Sequence, residues 1–343
     1  MSNTQTLYDH IAANNRKTWF LILLFPFSLF VLIALACIAS VYALGDNGFM
    51  YDGLRYLFSV FPQVQNSLTE GNMKILSGIG HALYILLPIF IVSCLWMSIS
   101  YLFGDAMILR FARATPLQKE DNAKVFTMVE NVALAAGLPM PRVYIIEDKG
   151  LNAFATGKNP NSATIVLTRG IIDALEPLEL EGVIAHEMAH IGNRDIRLNM
   201  LVITGLSVFG FAADILRSYL SHIEPGNKKQ MQFFFFVLLI MIALLVFNFV
   251  VAPLIRFVIS RRREYAADAT GALITRNPLA LAHALEKIAN HSHVESLEKQ
   301  PRLGAMCIAN PKLALKEEKE SLYSTHPPLQ NRIRRLKRSA GIF

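Results

Sequence analysis

The chain has 343 residues, 53% of them hydrophobic and only 17% charged, with a mean hydropathy of +0.38. Soluble domains run nearer a quarter charged, so this composition excludes an ordinary soluble enzyme and points to a membrane protein with a soluble part of one- or two-domain size. The net charge of +7 belongs to the C-terminal part, since residues 261–343 carry 15 Lys and Arg against 8 Asp and Glu. Beside a membrane, attraction to anionic lipid headgroups explains such a surplus. No aromatic-interleaved basic stretch or zinc-finger spacing supports nucleic-acid binding. Cys37 and Cys94 lie in apolar stretches and Cys307 stands alone, so there is no disulfide framework or C-x-x-C pair, which fits a reducing compartment.

Residues 1–18 read as a short polar lead. An uncharged apolar stretch from about Trp19 to Leu44 follows Arg16-Lys17 and is too long for a signal-peptide core. Further apolar stretches run from about Ile79 to Phe103, Leu198 to Tyr219 and Phe233 to Ile259. The third is interrupted by Gly205, Gly210 and Asp214. With four spans, Arg16-Lys17, Arg110 with Arg113, and Arg261-Arg262-Arg263 fall on one side, which becomes the cytoplasmic side. Lys228-Lys229, in the short hairpin Ser221–Gln230, is the one count against. The loop 45–78 is weakly acidic and falls outside.

Between the second and third spans, Val125, Met128, Val129, Val132 and Ala135 recur at helical spacing, predicting a helix over Leu117–Gly137. Strand signals follow at Arg142–Glu147, Asn152–Thr156 and Thr164–Thr168, then a short helical stretch at Gly170–Ala174. The stretch Glu176–Asp195 organises the rest. Pro177 suits a first helical turn, Glu176, Glu179 and Glu181 complement the positive end of the helix dipole, and Gly192-Asn193 is a stop. Inside it stands His186-Glu187-Met188-Ala189-His190. Histidines four apart share one helix face and can share one metal ion, while Glu187 can lean over the same site as general base. HExxH also arises by chance on surface helices, but an apolar-flanked helix rarely carries two His and a Glu without a use for them.

After the fourth span, helices are predicted at Arg263–Leu273 and Pro278–Asn290. A polar mobile loop is expected over His291–Glu320, a turn at Ser324–Pro328 and a basic helix at Leu329–Lys337. A catalytic zinc site usually has three protein ligands. The spare candidates are His283, His291, His293, His326 and several carboxylates. Glu264 is preferred, because Asp268 lies one turn along the same face and can accept a hydrogen bond from a zinc-bound imidazole. Taken alone, Glu264 reads as a surface carboxylate paired with Arg262 or Arg263; beside HExxH it reads as a ligand. Two spans separate His190 from Glu264, and an even number of crossings returns the chain to the same compartment.

His186–His190, Arg263-Glu264-Tyr265-Ala266-Ala267-Asp268, Ser324-Thr325-His326-Pro327 and Asn152-Ala153-Phe154-Ala155 together resemble the HtpX-type membrane-bound zinc metallopeptidases, related to the CAAX prenyl endopeptidases. The resemblance runs from about residue 115 to 338 and covers the four-span layout. It implies a mainly α membrane protein of about four transmembrane helices with a small cytoplasmic α+β zincin-like domain. The layout expected is a lead (1–18), two transmembrane helices (19–103) with an external loop (45–78), a first catalytic part (104–197), a transmembrane hairpin (198–259) and a second catalytic part (260–343). The resemblance also implies Zn²⁺ on His186, His190 and Glu264, and endopeptidase action on membrane or misfolded proteins at a bacterial inner membrane. Asn152–Ala155 would be an edge strand pairing with substrate, and His326 would stabilise the oxyanion near the scissile bond. The 45–78 and 291–320 stretches look longer than the family needs. The competing expectation is a chaperone-like membrane scaffold that binds in the same cleft without cleaving. Natural substrate and oligomeric state have no signal in the sequence.

Overall fold

The computed structural model describes residues 70–205, 261–294, 303–309 and 327–341, together with 12, 14–16, 18–20, 23, 27, 218 and 297. The chain divides into two compact units. One comprises Met1–Phe20, Ile99–Thr204 and Leu254–Phe343, the other Leu21–Ser98 and Gly205–Pro253. His326, the span expected at 233–259, and most of 19–44, 198–219 and 45–78 lie outside the described residues.

Helix α1 (Glu70–Phe111) is continuous over 42 residues. Among the described residues its stretch Phe90–Phe111 is the one helix long and apolar enough to cross a membrane. It begins inside the expected outside loop and runs past Phe103, where the apolar stretch was expected to end. Hydropathy marks where side chains turn apolar, whereas backbone hydrogen bonds carry the helix on through the polar residues at both ends.

The first unit holds a four-stranded sheet in the order β1-β2-β4-β3, formed by β1 (Thr115–Pro116), β2 (Arg142–Ile146), β3 (Ala153–Thr156) and β4 (Thr164–Thr168). β2 and β4 are parallel, with Arg142 opposite Thr164, while β3 runs antiparallel to β4, with Ala153 opposite Leu167. Three of the strands match the sequence reading within a residue. β1 has two residues, too few for any alternation to show.

Helix α2 (Ala123–Ala136) is capped by Asn122, whose Oδ1 accepts the Val125 N–H at 3.1 Å, and ends at Gly137 with φ +65°, a conformation glycine adopts freely. It starts later than the apolar period suggested, because Pro116 lies in β1 and a Gln118–Asp121 turn intervenes. Then follow α3 (Arg169–Ala174), α4 (Pro177–Gly192), α5 (Arg261–Thr275), α6 (Pro278–His291) and α7 (Leu329–Ser339). α4 starts with a capping box, the Glu179 carboxylate accepting the Glu176 N–H at 2.8 Å. Its Val183, Ile184 and Met188 are fully buried in a core shared with β4, α2 and α6, through residues such as Ile165, Leu167, Val129 and Leu285.

Two further features position the site. Residues 303–309, inside the expected mobile loop, are instead tied to the sheet: the Ile308 N–H donates to the Ala153 carbonyl at 2.9 Å, and Leu303, Met306, Cys307, Ile308 and Ala309 are buried. Their apolar side chains, diluted by polar neighbours in the sequence, seal the edge of β3. α5 also packs directly on α4, because Gly271 has no side chain. A Cβ there would meet the His186 backbone nitrogen at 3.0 Å and its Cα at 3.2 Å. Gly271→Ala should therefore lower stability by about 1–3 kcal/mol through overpacking. Gly341→Ala, with nothing within 4 Å, should be neutral. Thermal unfolding in detergent compares the two.

Candidate metal centre

His186 and His190 stand one turn apart on α4, 1% and 8% exposed, their ring centroids 4.8 Å apart and their planes perpendicular. Each ring is fixed by an aspartate. His186 Nδ1 lies 2.9 Å from Asp268 Oδ1, and His190 Nδ1 lies 2.9 Å from Asp195 Oδ2. In the neutral tautomer with the proton on Nδ1, donated to its aspartate, each Nε2 carries a lone pair that a metal can take, and on His186 that nitrogen lies 3.4 Å from Arg332 Nη2. Both Nε2 atoms face Glu264 on α5, at 3.8 Å from His186 and 3.6 Å from His190. The ligand atoms of His186, His190 and Glu264 lie within 4.8 Å of one another, the only such group of three among the described residues. Tetrahedral ligands about 2.0–2.1 Å from a metal stand about 3.3–3.5 Å apart, close to the two Glu264 distances. The three residues can therefore hold one divalent ion. His283, His291 and His293 are exposed and take no part in this group.

Glu187 is 1% exposed, and neither carboxylate oxygen has a hydrogen bond of ordinary geometry. Burial, reinforced by the charge of Glu264, pushes its pKa up to about 7. The charges of His190 and Arg332 oppose the rise, as does the nearby Ala155 N–H. For His190, burial works against the proton, but the Asp195 hydrogen bond and the charges of Glu264, Asp195 and Glu187 outweigh it and lift the pKa to about 9. His186 goes the other way, because burial wins over its bond to Asp268. Burial, with Glu187 beside it, pushes the Cys307 thiol well up, so it stays protonated and is a poor ligand.

The residues that compensate these buried charges escaped the sequence reading. Arg332 on α7, read there as part of a basic helix, is fully buried. Its Nε and Nη2 donate to Asp268 at 2.8 and 2.7 Å, its Nη1 donates to the Ile308 carbonyl at 2.8 Å, and Nη1 lies 3.5 Å from Glu264 Oε2. The available signal was its place between Leu329 and Leu336 on the helix's apolar face. Arg263 pairs with Asp195 at 3.1 Å and Asn199 at 3.2 Å, not with Glu264 as the surface reading had it. Asp195 lies beyond the predicted helix stop. Arg194, with φ +59°, turns the chain there, and Asp195 comes back beneath His190. Against these guanidinium charges, burial fails to raise the two aspartates, and both Asp268 and Asp195 stay below the ordinary carboxylate range.

The expected substrate strand is partly occupied by the chain itself. Asn152 Nδ2 donates to the Ala309 carbonyl at 3.1 Å, the Ala153 carbonyl takes the Ile308 N–H, and Phe154 is 1% exposed. The Ala155 backbone N–H faces Glu187.

Replacing Arg332 by Met should leave Asp268 buried and uncompensated, at about 3–5 kcal/mol of stability. Adding Asp268→Asn should recover part of that loss. Unfolding midpoints of both variants in detergent measure it.

The family model of peptidase family M48 matches residues 119–340. A protease HtpX homolog of Dictyoglomus thermophilum is 33% identical over 333 residues, covering 97% of this chain and 94% of that protein. One of Persephonella marina is 41% identical over 242 residues, covering 69% of this chain and 82% of that protein. Among solved structures, the crystal structure of Ste24p from S. mikatae is similar at a TM-score of 0.44 and 20% identity, over 90% of this chain and 66% of that one. A non-proteolytic scaffold finds no support among these relatives. The chain belongs to peptidase family M48, as a metallopeptidase of the HtpX type.

Proposed function

We propose that the chain is a multi-pass membrane endopeptidase in which His186, His190 and Glu264 hold zinc and Glu187 carries the proton. The observation that carries this reading is the convergence of two aspartate-anchored imidazoles and one carboxylate within 4.8 Å. Charge supports it. Around the site the carboxylates of Glu187, Asp195, Glu264 and Asp268 face the guanidiniums of Arg263 and Arg332. With the imidazoles neutral and the carboxylates ionised, the two surplus negative charges equal the charge of one divalent cation. Zinc bound there supplies a Lewis acid that acidifies water and polarises a peptide carbonyl.

The protein's own groups do the rest. Asp268 and Asp195 orient the two imidazoles, and Arg332 steadies Asp268 and Glu264 together. Glu187, buried and with neither oxygen in a hydrogen bond of ordinary geometry, takes a proton from the attacking water and hands it to the leaving amine nitrogen. His326 is assigned to the developing oxyanion. An extended peptide pairs with the β3 edge from Ala155 onward, with Asn152, Ala153 and Phe154 holding that edge in place. The basic residues flanking the apolar stretches support a catalytic side facing the cytoplasm. The substrate class that fits is unfolded segments of membrane or misfolded proteins, as in stress quality control.

The test begins with zinc per chain in protein purified in detergent without chelator. The wild type should hold about one ion and Glu264→Ala little. Unchanged zinc in that variant would make another residue the third ligand, with His326 next in line. Glu187→Gln should keep its zinc and cleave an unfolded protein at least about 100-fold more slowly. Wild-type cleavage by this variant would sink the assignment, as would cleavage that survives a chelator.

A further inference from the structure

The polar lead reads as the least informative part of the sequence, yet it reaches the metal centre. Residues 14–16 and 18–20 are helical, and Asn14 and Thr18, four apart on one face, are 5% and 1% exposed. Trp19 and Phe20 beside them stay open. The seated face is polar, so hydrogen bonds define where it docks. Asn14 Nδ2 donates to the Asn193 carbonyl at 2.9 Å and to Asp195 Oδ1 at 2.8 Å. The Thr18 hydroxyl donates to the Asn14 carbonyl at 2.8 Å, and the neighbouring Asn15 accepts from Arg197.

Asp195 is the aspartate that fixes His190. Its Oδ2 takes the His190 Nδ1–H, and its Oδ1 takes one N–H each from Asn14 and Arg263. Asn14 also clamps the Asn193 carbonyl, and so bridges the turn that follows the HExxH helix. A buried carboxylate deprived of a donor pays the desolvation penalty of that oxygen and relaxes toward its remaining partners. For Asp195 the remaining partners are Arg263 and the His190 imidazole, so a shift of the carboxylate carries the ring with it.

We propose that Asn14 is a positioning residue of the metal centre: through Asp195 it holds His190 so that Nε2 faces Glu264, which makes the N-terminal lead a working part of the zinc site. The proposal rests on His186, His190 and Glu264 being the zinc ligands. A cut, a modification or a partner that pulls the lead away would then loosen the metal through the same two hydrogen bonds.

Zinc affinity of the full-length protein in detergent, by competition with a chromophoric chelator, reads this directly. Outer partners of metal-binding histidines contribute about 10–100-fold to affinity, and Asn14 acts one bond further out. Asn14→Leu should therefore weaken zinc about 10-fold. Asn15→Ala, in the same lead but bonded to Arg197, should stay within about 3-fold of wild type, the smaller effect expected where no bond of the Asp195–His190 chain is lost. At saturating zinc, Asn14→Leu should lower kcat and leave KM for an unfolded substrate unchanged. In an Asp195→Asn background it should weaken zinc by no further factor, a coupling that a merely structural role would not produce. Should Asn14→Leu fail to fold, Asn14→Ser is read the same way. Wild-type affinity in a folded Asn14 variant, or an undiminished effect in the Asp195→Asn background, overturns the proposal. Glu264→Ala in the same assay separates the two readings: if it too keeps wild-type affinity, the ligand set is wrong, and if it loses zinc while Asn14→Leu does not, only the role of Asn14 falls.

Discussion

A charged side chain taken out of water costs several kcal/mol unless another charge or hydrogen bond meets it, and this protein buries six such groups and two imidazoles around one point. Glu187, Asp195, Glu264, Asp268, His186, His190, Arg263 and Arg332 are all 9% exposed or less. Their arrangement repeats a single device. Asp268 stands between Arg332 and His186, and Asp195 stands between Arg263 and His190. In each relay the arginine neutralises the aspartate, and the aspartate fixes the imidazole tautomer and aims its Nε2 inward. The two glutamates that face the enclosed space are less fully matched: Glu264 lies 3.5 Å from Arg332, which is already bonded to Asp268, and Glu187 makes no hydrogen bond of ordinary geometry.

The groups in these relays come from distant parts of the chain. His186 and His190 belong to α4, Glu264, Asp268 and Arg263 to α5, Arg332 to α7, and Asp195 to the turn after α4. The cluster therefore forms only when α4, α5 and α7 have packed, and the close approach at Gly271 is part of forming it. Repulsion among the inward carboxylates opposes this packing, and the buried guanidiniums offset it. The sheet contributes less to the charge pattern than to exclusion of water. The edge of β3, sealed by residues 303–309, brings Ala155 up to Glu187 and leaves little room for solvent on that side.

The covered edge also bears on how substrate is met. An exposed strand edge invites pairing along its whole length. Here the Asn152 side chain and the Ala153 carbonyl are satisfied by Ala309 and Ile308, so that part of the edge is already paired. The chain thus covers its own edge, and all four residues of β3 are buried.

Much of this was legible in the sequence, and the legible parts share a cause. The helix over Glu176–Gly192 with its caps, the His186–His190 pair, the Glu264–Asp268 spacing and the three longer strands depend on local geometry, where a period of 3.6 or 2 residues settles which side chains share a face. What the sequence could not decide was how buried charges pair across distance. Arg332 looks like one more basic residue until α7 turns it onto Asp268, Arg263 until it finds Asp195, and Asn14 until the lead docks on the turn after α4. The strand order β1-β2-β4-β3 and the burial of 303–309 are of the same kind, since hydrogen-bond partners far apart in the chain leave no period behind. By itself the sequence determined the helix, the two imidazoles and the carboxylate that can meet a metal. Tertiary packing decided which aspartates and arginines make it possible to bury them, because desolvation is overcome only by groups that are close in space.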